Sequence, residues 1–212
     1  MSSEPEDLSG LYSASPSEVE VVYDGWALSY DDDMDAWGYD VPEQLASLVA
    51  DRIVTGPILD AGCGTGRSGA ALADARLSPL IGIDLSPESL EQAKLRSVYT
   101  ELRQVDMTER LPYEDDSFAA VVSAGVLAYL TDSRSVILEF LRVVGPGGLV
   151  AFSQRSDLWA ERGFDELLDE LAAEGHCSVA RSEPQPYLPG HPDYGDEIQV
   201  IYAELECAVS VE

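Results

Sequence analysis

Three glycines alternate with other residues in Asp60-Ala61-Gly62-Cys63-Gly64-Thr65-Gly66, directly after the apolar stretch Gly56-Pro57-Ile58-Leu59. A helix-like run from Arg67 to Arg76 follows. The pattern reads as a buried strand, a sharp turn and a helix start. Glycines here remove Cβ atoms where the backbone must turn tightly or touch a ligand. A ligand placed there meets the free N–H groups of the helix N-terminus. A second apolar run, Ile81-Gly82-Ile83, ends in Asp84, where an ionised carboxylate can accept hydrogen bonds from both hydroxyls of a ribose. The chemistry is that of a nucleoside-bearing ligand.

Conventional acid–base groups are scarce. Of the two histidines, His176 opens a late strand at the far edge of the sheet and reads as structural, whereas His191 lies in a Pro-rich loop on the ligand side. His191, Tyr23 and Tyr30 are the weak catalytic candidates, and Tyr187 is a further pocket candidate. Cys63, Cys177 and Cys207 are odd in number, far apart and without a C-x-x-C, which argues against a disulfide framework or a zinc site and fits a reducing cytoplasm. No metal is expected.

The elements that must position these groups follow from periodicity. Residues 1–17 are rich in Ser, Pro, Glu and Gly and read as a mobile acidic tail. Residues 18–212 read as one domain. Its first part, to about residue 54, is a helical lid: Val19, Val22, Tyr23, Trp26, Ala27 and Tyr30 recur at spacings of three and four, ending in the Asp-rich stretch 31–39. A second helix starts at Pro42. Strands are expected near 57–61, 79–84, 101–105, 118–124 and 147–153, alternating with helices near 66–75, 87–97, 133–143 and 162–174. That alternation implies an α/β, doubly wound and mostly parallel sheet. Two closing strands, near 176–182 and 197–207, are joined by a link too short and too Pro-broken for a crossover helix, so they pair antiparallel. Ligands of such a sheet sit beyond the carboxyl ends of its parallel strands, which adds Ser123 to Tyr129, Gln154 and Arg155 to the candidates.

Composition bounds the partners. Forty acidic residues against twelve basic ones give a net charge of −28, and Lys94 is the only lysine. Phosphate backbones and anionic membranes require Lys and Arg clusters, so neither nucleic acid nor a membrane is expected. No apolar run approaches the ~18 residues needed to span a bilayer. Lysine depletion with abundant Asp and Glu resembles the cytoplasmic proteins of salt-in halophiles. Oligomeric state is not legible.

Gly64-Thr65-Gly66-Arg67-Ser68-Gly69 matches the dinucleotide pattern G-x-G-x-x-G, and a nicotinamide-dependent oxidoreductase rests on those residues alone. The longer pattern, acid-x-Gly-x-Gly-x-Gly with Asp60 at the strand end, resembles motif I of the class I S-adenosylmethionine (SAM) methyltransferases. The resemblance continues through Gly82 to Ser86, Val105-Asp106-Met107-Thr108, Val122 to Leu127 and Gly147-Gly148-Leu149-Val150. With Val22 to Ala27, these pieces are similar to the small methyltransferase-like proteins related to the one encoded in the Williams–Beuren syndrome region, over roughly residues 20 to 190. The resemblance implies a Rossmann-like, seven-stranded sheet with a reversed last strand. It implies SAM as cofactor, with Asp60, Gly62, Gly64 and Gly66 shaping the methionine end. Asp84 and Leu85 would meet the ribose, Asp106 and Met107 the adenine, and Ser123 would complete the set. Ala119 stands where relatives commonly carry Asp. The implied reaction is methyl transfer to a small-molecule acceptor; a SAM-binding module without catalysis is the alternative of a different class.

Overall fold

The computed structural model describes residues 9–52, 56–192, 195 and 197–209. Among these residues, eight strands form one sheet: β1 (Ile58–Ala61), β2 (Leu80–Asp84), β3 (Glu101–Gln104), β4 (Phe118–Ser123), β5 (Val144–Arg155), β6 (Cys177–Arg181), β7 (Gln185–Pro186) and β8 (Gln199–Cys207). Their order is β3-β2-β1-β4-β5-β8-β6, with β7 also on β8. The first five strands pair parallel, and β8 runs antiparallel to β5, β6 and β7. The seven expected strands are all present; the two-residue β7 is the addition.

Strand periodicity explains why the sheet is covered on both faces. In β5, Val150 and Phe152 belong to one core cluster, and Leu149 and Ala151 to the other. β1 divides in the same way, Leu59 and Ala61 against Ile58. The first cluster is closed by α6 (Ser133–Val143) and α8 (Phe164–Ala173), whose Val136, Ile137, Phe140, Leu168 and Leu171 recur at helical spacing. The second is closed by α3 (Val41–Ala50) and α4 (Arg67–Asp74) through Leu45, Val49 and Leu72. Caps fix the register of these helices: Ser86 Oγ accepts from Ser89 N at the start of α5 (Pro87–Leu95), and Asp132 accepts from Ser135 N at the start of α6.

The N-terminal part departs from expectation. The single helix expected from Glu18 is two, α1 (Pro16–Trp26) and α2 (Tyr30–Trp37), and the Asp-rich stretch lies inside the second. Asp31, Asp32 and Asp33 occupy its first turn, where carboxylates complement the helix dipole. Gly38 (φ +71°) then closes α2, with its N–H on Asp35 O and that of Tyr39 on Met34 O. α3 ends at Ala50, while the expected end near residue 54 lies outside the described residues. Of the expected tail, residues 9–17 are structured: Ser9–Ser13 form a 3₁₀ turn whose Leu11 is buried, and Pro16 begins α1. A short α7 (Ser156–Glu161) fills the interval between β5 and α8. The fifth strand, expected near 147–153, begins at Val144, and Gly145–Gly148 form an irregularity within it, because Phe118 pairs with Val144 while Ala120 pairs with Leu149. Among the described residues, no helix is long and apolar enough to cross a membrane.

Candidate active site

A cleft of about 980 Å³, its open mouth included, lies at the carboxyl ends of β1, β2 and β4 under α1 and α2. Its floor is main chain. The N–H groups of Gly62 and Cys63 both donate to Ile83 O, at 2.8 and 2.9 Å, which lashes the glycine loop to the end of β2. Gly62 has φ +79°, and a Cβ there would lie 2.2 Å from Val126 Cγ2. Gly64 has φ +51°, but a Cβ there meets nothing within 4 Å. Gly66, at φ +86°, leads into α4 and lies against Ala93, 3.0 Å from Cα to an ideal Cβ. The three glycines thus serve a packing contact, an open approach and a helix start in turn.

Asp84 ties this floor together. Its Oδ2 accepts from Gly64 N at 2.7 Å and its Oδ1 from Ser86 N at 2.9 Å. Burial pushes its pKa up, while those N–H groups act against the shift. Leu85, Asp106, Met107 and Thr108 line the cleft beside it. Asp106 Oδ1 accepts from both Thr108 N (2.8 Å) and Thr108 Oγ1 (2.7 Å), a closed turn that fixes the carboxylate.

The roof is aromatic. Tyr23 and Tyr30 from α1 and α2, Tyr39 before α3, Tyr129 after β4 and Tyr187 after β7 all line the cleft. Burial pushes every one of these phenols upward, Tyr187 to about 12. Among the described residues lining the cleft there is no Lys, Arg or His, and its charged groups are Glu20, Asp84 and Asp106.

The chain is similar to several known proteins. Residues 59–152 match the family model described as a methyltransferase domain. Methyltransferase-like protein 27 of Homo sapiens is 35% identical over 162 residues, covering 72% of this chain and 65% of that protein. Demethylmenaquinone methyltransferase of Clavibacter sepedonicus is 32% identical over 169 residues, covering 76% of this chain and 68% of that protein. The chain belongs to the class I SAM-dependent methyltransferases. It spans about two thirds of the length of these relatives. Among solved structures, geranyl diphosphate C-methyltransferase from Streptomyces coelicolor A3(2) shares the fold at a TM-score of 0.59 and 16% identity, with 78% of this chain and 77% of that chain covered.

SAM, the cofactor of this methyltransferase family, suits the residues present. A ligand can approach the Gly64 backbone because no Cβ intervenes, and Asp84 and Asp106 border the same cleft. The residues singled out by sequence divide into those at the cleft and those behind it. Gly62, Gly64, Asp84, Leu85, Asp106, Met107, Tyr23, Tyr30 and Tyr187 line it; Gly66 is set back against α5. Asp60 is fully buried beneath the loop, its Oδ2 accepting from the Tyr99 hydroxyl at 2.6 Å. Its Oδ1 has no partner among the described residues, and burial lifts its pKa to about 7. Ser123 is also buried, donating to Ala61 O at 2.9 Å. His191 is packed against the Trp37 ring, 4.5 Å between centroids, and does not line the cleft. His176 is half-exposed beside Glu174, 3.2 Å away. Gln154 is buried in the sheet, and Arg155 pairs with Asp157 and lies over the Tyr12 ring; neither lines the cleft. Tyr39 was not singled out by its spacing. It follows the helix-closing Gly38, a position with no periodic partner.

Proposed function

We propose that this chain transfers the methyl group of SAM to a small-molecule acceptor bound under the tyrosine roof. When bound, SAM supplies an activated methyl on sulfur, so the cofactor carries the difficult chemistry. The chain's residues then have three tasks. The Gly62–Gly66 loop and the first N–H groups of α4 receive the methionine end. Asp84 accepts from the ribose hydroxyls while held by Gly64 and Ser86, and Asp106 with Met107 holds the adenine. Lid helices α1 and α2 exclude water and orient the acceptor. Asp60 supports the loop from behind through Tyr99. One observation carries the reading: the Asp84 carboxylate clamps Gly64 N and Ser86 N at the floor of a cleft that also presents Asp106 and Met107.

The test is calorimetric titration of wild type and Asp84→Ala with SAM, S-adenosylhomocysteine and NAD, at 0.15 M and molar KCl. The first two ligands are expected to bind wild type and to lose on the order of 100-fold or more in the variant, since hydrogen bonds to a charged group contribute about 1.5–3 kcal/mol each. Binding of NAD alone would restore the dinucleotide reading of Gly64 to Gly69. Tighter binding or a higher unfolding midpoint in molar KCl supports a halophilic origin for the −28 charge, because salt screens its self-repulsion.

A further inference from the structure

We infer that the methyl acceptor is an amine on a small apolar or aromatic body, held by the tyrosine roof with its nitrogen at the Tyr39 and Tyr187 hydroxyls. The inference rests on the methyl-transfer reading and names its substrate class.

The roof is built for a cation or an apolar ring, and not for an anion. Tyr23 meets Tyr129 at 5.6 Å and 77°, and Tyr39 meets Tyr187 at 5.6 Å and 88°, so both pairs are edge to face. In an edge-to-face pair one ring covers a face of the other, and only the ring that supplies the edge keeps both of its faces out of that contact. The negative face of an aromatic ring attracts an ammonium, and more strongly when the site is desolvated. All charged groups among the described lining residues are carboxylates, with Glu20 held at the mouth by Gln104 Nε2 at 3.2 Å. A phosphate or carboxylate acceptor would meet acids in the lining, while the guanidiniums of Arg67 and Arg155 act on Tyr30 and Tyr187 only from outside it.

The hydroxyls give the site direction. Tyr23 donates to Tyr129 Oη at 2.8 Å, so that pair is satisfied internally. The Tyr39 and Tyr187 hydroxyls make no hydrogen bond with a described residue, yet both reach the backbone of Gly125, just past the end of β4. An ideal Cβ on Gly125 would lie 3.1 Å from the Tyr39 oxygen and 3.7 Å from that of Tyr187. Next along the chain, Val126 packs on Gly62, so this point adjoins the glycine loop. Two neutral phenol oxygens converging beside the cofactor's end of the cleft can accept N–H bonds and leave a nitrogen lone pair free.

The protonated state of these hydroxyls points the same way. Burial keeps the roof phenols protonated at neutral pH, and His191 is buried away against Trp37. An alcohol or phenol acceptor must shed its proton for methylation, and the groups that meet at Gly125 are themselves protonated phenols. An amine bound as an ammonium first loses one N–H proton to solvent, and the neutral amine then reacts without a base. Its lone pair forms the N–C bond as the methyl–sulfur bond breaks, the bonding pair staying on sulfur. The positive charge passes from sulfur to nitrogen, and an N–H proton then leaves to solvent. The ring faces stabilise a cation throughout the step.

The experiment uses the protein saturated with S-adenosylhomocysteine and four probes: benzylamine, benzyltrimethylammonium, benzyl alcohol and benzoate. Binding of S-adenosylhomocysteine is measured first; its failure would defeat the methyl-transfer reading itself. Given that binding, both cationic probes are expected to bind at least about tenfold more tightly than benzyl alcohol, with benzoate weakest. Tyr39→Phe and Tyr187→Phe keep the rings and remove the hydroxyls. They are expected to weaken benzylamine about three- to tenfold and leave benzyltrimethylammonium, which has no N–H, unchanged. A preference for benzoate or benzyl alcohol, equal loss of both cations in the Phe variants, or no probe binding at all would overturn the amine assignment and leave the cofactor reading standing.

Discussion

The two halves of the cleft are made of different materials. The cofactor half is mostly backbone: three left-handed glycines, N–H groups lashed to Ile83 O, and Asp84 closing on Gly64 and Ser86. Each piece is anchored in the end of a buried strand. The half proposed for the acceptor is side chain. Its tyrosines come from α1, α2, the segment before α3, the segment after β4 and the β7–β8 link, and Tyr23, Tyr30, Tyr39 and Tyr187 belong to or pack on one core cluster. The lid is fastened to the floor by polar contacts. Asp31 accepts from Thr65 Oγ1 at 2.6 Å and from Arg96 Nη2, while Arg96 Nε reaches Thr65 O at 2.7 Å. Arg67 pairs with Asp35 at 2.7 Å, and Asp24 accepts from Ser86 Oγ at 2.5 Å. On the proposed reading, cofactor binding depends on strand ends, and acceptor binding on side chains gathered from separate segments.

The strongest way to break this contrast is Gly62→Ala. The left-handed backbone costs an alanine about 1–2 kcal/mol, and overpacking against Val126 adds roughly 1–3 kcal/mol. S-adenosylhomocysteine affinity is expected to fall by on the order of 100-fold or more, with a lowered unfolding midpoint. Adding Val126→Ala should recover part of the loss, because the clash is with that side chain. Wild-type affinity in the single variant would mean that the loop is less rigidly determined than its contacts imply.

Asp60 sharpens the comparison from beneath the loop. Its folded pKa, about 7, lies above the unfolded value near 3.8, so the native state binds more protons across that interval. Stability therefore falls as pH rises from about 4 to 7, and the full penalty is present above 7. Asp60→Asn removes the titration while keeping an oxygen for Tyr99. Urea unfolding at pH 5 and pH 8 should show wild type losing stability between them, on the order of 1–3 kcal/mol, and the variant losing much less. Parallel behaviour of the two would mean that Asp60 ionises freely, through a partner such as water at Oδ1.

How much of this was legible in the sequence follows the same division. Glycines with forced conformations and strands buried on both faces leave marks at short range, so β1, the loop, α4 and Asp84 could be placed from local pattern. Asp60 was read as part of the pocket because it adjoins the glycines. Yet strand alternation sets it on the face opposite Leu59 and Ala61, under α4 and against Tyr99. In the lid, the acids 31–33 were taken as the end of a helix although they favour a helix start. His191 looked like an exposed loop residue; only the long-range approach of Trp37 buries it. The six-residue α7 and two-residue β7 are shorter than any period that would reveal them. What sequence hid was what distant segments decide between them.

The mildest perturbation asks whether the lid's fastening is chiefly ionic. Arg96→Gln removes one charge from the Asp31 latch, in a chain with only twelve basic residues, and leaves the floor glycines untouched. Both partners are partly exposed, at 28% and 40%, so the effect is modest: about a three- to tenfold loss of S-adenosylhomocysteine affinity at 0.15 M KCl. At 1 M KCl the Debye length shrinks to about 3 Å, and variant and wild type should come within about twofold of each other. Gly62→Ala, a steric lesion, should be equally damaging at both concentrations. An Arg96→Gln loss that persists in molar salt would assign the latch to the hydrogen bond between Arg96 Nε and Thr65 O. No loss at either concentration would shift the lid's anchorage to Asp24 and the aromatic packing of α1. Only salt-sensitive loss keeps the two halves of the cleft distinct in mechanism as well as in material.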